Sequence, residues 1–135
     1  MVPLWFNKTY HLHQSENFEG FLAAIGINYF LRKIIMASHF AYKLTALDNN
    51  EFVLSEQTSF VNMDLKFRPG EVFVSVKPNG DKIETVIEFE SENVLIHKQL
   101  TKYPGMVRRI FKEDEMIMIC TSESGVIGKR WFKVK

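Results

Sequence analysis

Arg130 is the residue in this sequence whose type and position best suit the binding of an anion inside a protein. Side chains alternate between two faces along residues 128–133, and Lys129, Trp131 and Lys133 share one of them. Two lysines make that face the solvent face, so we expect Arg130 to point inward. Because arginine does not deprotonate, a buried Arg130 needs a carboxylate, ordered water or a ligand anion as its partner.

Two further arginines, Arg108 and Arg109, are adjacent in residues 106–111, where alternation does not decide which one faces inward. One face would carry Met106, Arg108 and Ile110, and the other would carry Val107, Arg109 and Phe111. Both sets mix apolar and charged side chains. An internal salt bridge or a water network could satisfy an inward guanidinium as well as a ligand anion could, so the pattern leaves these alternatives open.

The residues that catalysis or metal binding would require do not form a recognisable set. His11 and His13 are two apart on one strand face, but Tyr10 and Leu12 are expected to face inward, and no third metal ligand is apparent. Cys120 has no identifiable histidine partner, and buried cysteines are usually inert. No Ser-His-Asp, paired-carboxylate or phosphate-loop motif is evident. We therefore expect no enzyme activity, no catalytic residue, no metal site and no cofactor.

Length and composition predict one soluble globular domain over residues 1–135. The chain has 46% apolar and 24% charged residues, which is typical of a folded protein. Its net charge of +1 argues against nucleic acid as a partner. The longest apolar stretch, Phe21–Leu31, is too short to span a bilayer, and the first residues do not resemble a signal peptide. A single cysteine fits a reducing compartment, so we expect a cytoplasmic protein.

Residues 15–38 predict two short helices that follow the first strand. Gly26 can end the first helix because glycine tolerates the left-handed conformation of a helix stop, and a second helix is expected over about 28–37. The apolar residues of the first helix recur at three- and four-residue steps, namely Phe18, Phe21, Leu22 and Ile25.

The rest of the chain predicts strands. One strand precedes the helices, over Trp5–His13, and about nine follow, because turn signals recur every 8–12 residues and the pieces between them are rich in Val, Ile, Phe and Thr. Sequential hairpins indicate an all-β, ten-stranded antiparallel up-and-down barrel. Eight strands close a barrel that side chains just fill. Ten strands therefore predict an internal cavity, with the two helices as a lid over one end.

Short segments in a fixed order along the chain carry a resemblance to a known family. They are Lys8–Leu12, Asn17–Phe21, Thr58–Asn62, Pro69–Phe73, Leu95–Gln99, Val107–Arg108 and Lys129–Phe132. Each segment is short, but their order over the whole chain, at the family's usual length, is similar to the cytosolic fatty acid-binding proteins. This intracellular lipid-binding group also includes the cellular retinoid carriers.

The resemblance implies a clam-shaped calycin barrel that reversibly binds a long-chain fatty acid or similar hydrophobic carboxylate and acts as a monomeric carrier. In many members two arginines and a tyrosine hold the carboxylate. Carried over, the arginines are Arg108 and Arg130, which would turn Arg108 inward and Arg109 outward. The tyrosine position is Phe132, which has no hydroxyl. A carrier of another lipid, such as a retinoid, a sterol-like molecule or a neutral lipid, is therefore the alternative.

The same resemblance gives expectations for the tail path and for the lid. Arg32 and Lys33 on the lid suggest transient contact with anionic membranes, although two such charges contribute only about 2 kcal/mol at an anionic surface. Polar groups from Thr58, His97 and Gln99 are expected in the interior. The residues expected to line the cavity around the lipid tail are Phe18, Phe21, Leu22, Ile25, Leu31, Phe40, Phe60, Met118, Cys120 and Phe132.

Overall fold

The structure is a computed structural model that describes residues 2–77 and 80–135. Pro78 and Asn79, where a turn is predicted, lie outside the described residues. The elements in chain order are β1 (Thr9–Glu16), α1 (Phe18–Ala24), α2 (Tyr29–Ala37), β2 (Phe40–Ala46), β3 (Phe52–Thr58), β4 (Asn62–Phe67), β5 (Phe73–Val76), β6 (Lys82–Ser91), β7 (Val94–Gln99), β8 (Gly105–Phe111), β9 (Glu115–Ser122) and β10 (Ile127–Val134).

The strands form one antiparallel sheet in the order β4-β3-β2-β1-β10-β9-β8-β7-β6-β5. Neighbours in the chain are neighbours in the sheet except at two places. β1 pairs with β10, although the two are far apart in the chain. β4 and β5 follow each other in the chain but do not pair, and they form the two edges of the sheet with a groove of about 230 Å³ between them. The sheet is therefore a nearly closed up-and-down barrel with a two-helix lid inserted after β1. The ten-stranded antiparallel barrel predicted from the turn spacing is confirmed.

Strands β8, β9 and β10 form the wall that carries the buried arginines. In β9, Met116, Met118 and Cys120 point inward, a choice that the sequence leaves open because both faces are apolar. The register places Met118 opposite Arg109 of β8 on one side and opposite Arg130 of β10 on the other. The two arginines therefore belong to one row of inward side chains, with a single strand between them.

Helix α1 lies directly against β10 because Gly128 has no side chain. A Cβ atom at Gly128 would lie 2.8 Å from the carbonyl oxygen of Asn17 and 2.9 Å from the Cα atom of Phe18. The side-chain amide of Asn17 donates to the carbonyl of Ile127 over 3.0 Å and ties the start of the helix to the strand. Gly26, with a φ of +97°, follows the end of the helix as predicted.

Helix α2 is seated much less deeply than α1. The Asn28 side chain caps it by accepting a hydrogen bond from the backbone N–H of Leu31 over 2.9 Å. None of its residues is fully buried, and only Ile35 and Met36 pack partly against the core. Tyr29 and Phe30 remain exposed. Among the described residues, no helix is long and apolar enough to cross a lipid bilayer.

Candidate functional site

Arg130 lies inside the barrel beneath the lid and is 1% exposed, so its predicted inward orientation is confirmed. Its guanidinium carbon lies 3.8 Å from the ring centroid of Phe18 in α1 and 5.0 Å from that of Phe40 in β2. One terminal nitrogen donates to the Met36 sulfur over 3.8 Å, and Nε has no hydrogen-bond partner. Burial lowers the pKa of Arg130 from its ordinary value. Aromatic faces and a thioether are weak substitutes for an anion.

Arg109, and not Arg108, is the second inward arginine, so the predicted orientation of this pair is wrong. Arg109 is 4% exposed, whereas the Arg108 side chain is 35% exposed and pairs with Glu90 of β6 over 2.6 Å. The cause is the register of β8 on β9, which sets Arg109 opposite the inward Met118. The sequence could not reveal this register because both faces of β8 carry apolar residues beside an arginine.

Polar side chains surround Arg109, unlike the apolar surroundings of Arg130. One terminal nitrogen of Arg109 donates to Nδ1 of the buried His97 over 3.1 Å. Since a guanidinium only donates, Nδ1 of His97 accepts and the proton of the neutral ring is on Nε2. Burial, and then the charges of Arg109 and Lys77, lower the pKa of His97 well below its ordinary value. The Arg109 guanidinium carbon also lies 4.6 Å from the ring centroid of Tyr42.

Tyr42, Glu56 and Lys77 complete this polar region, and sequence reasoning missed all three. The Tyr42 hydroxyl donates to Oε2 of Glu56 over 2.7 Å. Burial, followed by the charge of Glu56, raises the pKa of Tyr42. Burial lowers the pKa of Lys77, and Glu56 opposes that change. Alternation in β3, where Glu56 shares a face with the buried Leu54, is the signal that could have found the inward carboxylate.

Most of the apolar residues predicted for the tail path do lie in or against the core. Burial raises the pKa of the Cys120 thiol to about 12, so the thiol is protonated at neutral pH. Phe132 is fully buried, and its ring meets that of Tyr42 edge to face at 5.3 Å between centroids. The buried members of the set are Phe18, Phe21, Leu22, Met118, Cys120 and Phe132, and the partly buried ones are Ile25 and Phe40.

Two residues of the predicted tail path lie on the surface, and their assignment to it is wrong. Phe60 is 73% exposed because it occupies the turn between β3 and β4 and not a strand, so alternation does not direct it inward. Leu31 is 39% exposed because α2 meets the core only through Ile35 and Met36, near its other end.

Two of the polar residues expected in the interior make their hydrogen bonds to nearby loops. The Thr58 hydroxyl donates to the carbonyl of Val61 over 2.8 Å and closes the turn after β3. The Gln99 amide donates to the carbonyl of Tyr103 over 2.9 Å. These bonds occupy the groups that were expected to face a ligand, so a role for either in ligand binding stays a prediction.

The two inward arginines give the barrel interior a capacity for anions. Among the described residues, neither Arg109 nor Arg130 has a carboxylate within 4.0 Å, and the buried Nε atom of each has no hydrogen-bond partner. A buried charge without a partner costs several kcal/mol. An entering carboxylate can accept hydrogen bonds from these groups and so recover much of that cost.

Comparisons with known proteins bear on the family and the fold. The chain is 33% identical over 132 residues to mouse intestinal fatty acid-binding protein, which covers 95% of this chain and 97% of that protein. It is 28% identical over 128 residues to rat cellular retinoic acid-binding protein 2, with 90% and 92% covered. The fold matches that of Schistosoma mansoni fatty acid-binding protein in complex with arachidonic acid, with a TM-score of 0.87 at 22% identity over 97% and 96% of the two chains. No family model matches the chain.

Proposed function

The chain belongs to the fatty acid-binding protein family, and we propose that it is a monomeric cytoplasmic carrier that binds a long-chain fatty acid or similar hydrophobic carboxylate inside its barrel. It is a carrier and not an enzyme. The observation that carries the proposal is the pair of buried guanidinium groups, Arg109 and Arg130, each with an unpartnered Nε atom. Ordinary core packing does not explain two such charges, whereas a bound carboxylate does.

The lipid tail supplies most of the affinity and the arginines orient the head group. Burial of about fourteen methylenes contributes roughly 11 kcal/mol, at about 0.8 kcal/mol each. Several kcal/mol of binding cost must be subtracted from that sum. The remainder suits a carrier that must also release its ligand. The head group then sets the direction in which the chain enters and the preference for an acid over an alcohol.

Recognition of the head group falls to the arginines because the tyrosine hydroxyl described beside them, that of Tyr42, already has a partner. Phe132 stands where many family members have a tyrosine. The Tyr42 ring contacts Phe132, but its hydroxyl already donates to Glu56 over 2.7 Å. A hydrogen bond from a neutral hydroxyl to a carboxylate contributes about 1.5–3 kcal/mol, and this chain does without it.

Substitution of the inward and outward arginines tests the proposal. We expect Arg130→Gln and Arg109→Gln each to weaken binding of oleate to delipidated protein by roughly 10- to 100-fold, because each removes a charged hydrogen-bond donor. Isothermal titration calorimetry measures the affinity. Arg108→Gln is the matched control, with a change within about two-fold, because Arg108 faces Glu90 outside the barrel. An equal loss in all three variants, or no oleate binding by the unaltered protein, would contradict the proposal.

A second candidate is a carrier of a retinoid or a lipid with another head group. The absence of a hydroxyl at Phe132 favours this candidate, and the similarity to rat cellular retinoic acid-binding protein 2 points to a retinoid as its ligand. Competition between oleate, oleyl alcohol, retinoic acid and retinol separates the candidates. Preference for both acids over their alcohols supports an arginine-held carboxylate, and preference for the alcohols favours the second candidate.

We also propose transient membrane contact through the lid, with a small contribution from its cations. Arg32 and Lys33 both lie against Glu19, at 3.5 Å and 2.8 Å, so this cluster keeps one net positive charge. One charge near an anionic surface contributes about 1 kcal/mol. We therefore expect the double substitution to glutamate at these positions to slow oleate transfer to phosphatidylserine vesicles several-fold, with neutral vesicles as the control. An unchanged rate would remove the lid cations from the proposal.

A further inference from the structure

The outer wall of the barrel carries a pair of histidines that lipid binding does not use. His11 lies on β1, and His39 lies between the end of α2 and the start of β2. Nδ1 of His11 and Nε2 of His39 are 3.4 Å apart, with the ring centroids 5.6 Å apart and the ring planes 28° apart. Two imidazole nitrogens from different elements therefore face each other at the surface.

The separation of these two nitrogens matches the spacing of ligands on one metal ion. Zinc binds imidazole nitrogen at about 2.0–2.1 Å in tetrahedral geometry, which places two such nitrogens roughly 3.3–3.4 Å from each other. The observed distance is long for a hydrogen bond, whose donor–acceptor distance is about 2.7–3.2 Å.

We propose that His11 and His39 form a two-histidine site for a divalent transition-metal ion, with Zn²⁺ or Cu²⁺ as the occupant and water at the remaining positions. Within residues 2–77 and 80–135 no third His, Cys, Asp or Glu joins them in a metal-binding group. Imidazole ligands favour Zn²⁺ and Cu²⁺, whereas Mg²⁺ and Ca²⁺ prefer oxygen.

Lysines of β10 limit the affinity of this site. Lys133 lies opposite His11 in the register of β1 and β10, and Lys135 acts on His11 electrostatically. Both cations oppose a metal ion. The site is therefore weaker than a closed structural zinc site, and it responds to the free metal concentration.

The position of the pair gives metal binding a structural consequence. The pairing of β1 with β2 ends at His11 and Ala41, and His39 follows Ser38, the residue that ends α2. An ion shared by the two histidines would tie β1 to the chain that leaves the lid. Metal binding to the folded protein would then also stabilise it by mass action.

Titration of tag-free protein with ZnCl₂ tests the site. We expect one saturable Zn²⁺ in calorimetry, and we expect His11→Gln and His39→Gln each to weaken it at least about 10-fold, since loss of a ligand costs no less than loss of a supporting residue. His13→Gln, also on the outer face of β1, is the matched control and changes the affinity less than about two-fold. All three variants keep their oleate affinity, which verifies folding and separates this test from that of lipid binding.

A spectroscopic measurement identifies the ligands directly. In ¹⁵N-labelled protein, Zn²⁺ is expected to shift the imidazole nitrogen resonances of His11 and His39 and to leave those of His13 and His97 unchanged. Absence of saturable binding, equal losses in the His13 variant, or shifts spread over all four histidines would overturn the proposal.

Discussion

Arg130 and Arg109 occupy the same row of the barrel wall, but their surroundings are opposite in character. Arg130 meets two aromatic rings and a thioether, whereas Arg109 donates to the neutral His97 and lies against the ring of Tyr42. The two guanidinium groups, one strand apart, therefore differ in the hydrogen-bond partners that the protein supplies to them. Among the described hydrogen bonds, Arg130 donates only to a sulfur and gains most from a ligand anion, while Arg109 already donates to a ring nitrogen of His97.

The two arginines also differ in their contacts with the helices of the lid. Phe18 of α1 and Met36 of α2 both contact Arg130, whereas the described hydrogen bond and ring contact of Arg109 come from strands β7 and β2. A head group that replaces the Met36 sulfur at Arg130 would change the packing of the lid. Arg109 and its neighbours Tyr42 and His97 belong to strands and not to the lid.

Replacement of each arginine by methionine gives the largest effect that distinguishes the two environments. A buried cation without an acid partner opposes folding, and replacement of even a paired buried ion by apolar side chains of similar volume is often neutral or stabilising by about 1–4 kcal/mol. We expect Arg130→Met to raise the free energy of unfolding of the ligand-free protein by an amount in this range. Arg109→Met should give a smaller gain because it also removes the donor to His97. Urea denaturation measures both values.

The control for this pair is Arg108→Met, which should change stability by less than about 0.5 kcal/mol because exposed ion pairs contribute little. A greater gain from Arg109→Met than from Arg130→Met would reverse the comparison. A loss of stability in Arg130→Met would show that the aromatic rings and Met36 satisfy this cation without a ligand.

The sequence predicts the Arg130 environment better than the Arg109 environment, and the reason is local. Lys129 and Lys133 mark the opposite face of β10 as the solvent face, so alternation alone turns Arg130 inward. No such marker exists in β8, where the register on β9 decides, and this register depends on pairing between strands. The carried-over position Arg108 was therefore one residue away from the inward Arg109.

The strand count and the lid followed from turn residues and helical periodicity, which are local signals. Glu56 and Phe60 show where residue type alone fails as a predictor. Glu56 is a charged residue that faces inward because Tyr42 of the neighbouring strand supplies its partner. Phe60 is an apolar residue that faces outward because the chain turns at that point. Residue type alone predicts neither outcome, because alternation along β3 decides the first and the turn after β3 decides the second.

Tyr42→Phe tests whether the polar side of the comparison depends on Glu56. The substitution keeps the ring beside Arg109 but removes the hydroxyl that donates to Glu56 over 2.7 Å. A hydrogen bond to a charged group contributes about 1.5–3 kcal/mol when buried. Because Glu56 is only half-buried, we expect a loss of about 1.5 kcal/mol in urea denaturation. Tyr29→Phe on the exposed face of α2 serves as the reference, and an equal change in both variants would exclude a specific role for the bond.

The smallest expected effect is the contribution of His97 to the pH dependence of the free energy of unfolding. Burial and the neighbouring cations hold the pKa of His97 in the folded protein well below the ordinary 6.5. Above about pH 6.5, the ordinary pKa of histidine, His97 is neutral in both the folded and the unfolded protein. As the pH falls below about 6.5, the unfolded chain takes up a proton that the folded protein does not, so stability decreases toward the folded-state pKa. We expect a loss of about 1 kcal/mol between about pH 6.5 and pH 5.5, since one pKa unit corresponds to 1.36 kcal/mol.

His97→Gln keeps an acceptor for Arg109 but cannot titrate, so its stability should depend less on pH by that amount. Urea denaturation at several pH values measures the dependence, and His13→Gln on the exposed face of β1 should retain the slope of the unaltered protein. If His97→Gln and His13→Gln flatten the profile equally, the buried contact between Arg109 and His97 does not control the titration. The polar character assigned to the Arg109 side of the barrel would then have to rest on Tyr42 and Glu56 alone.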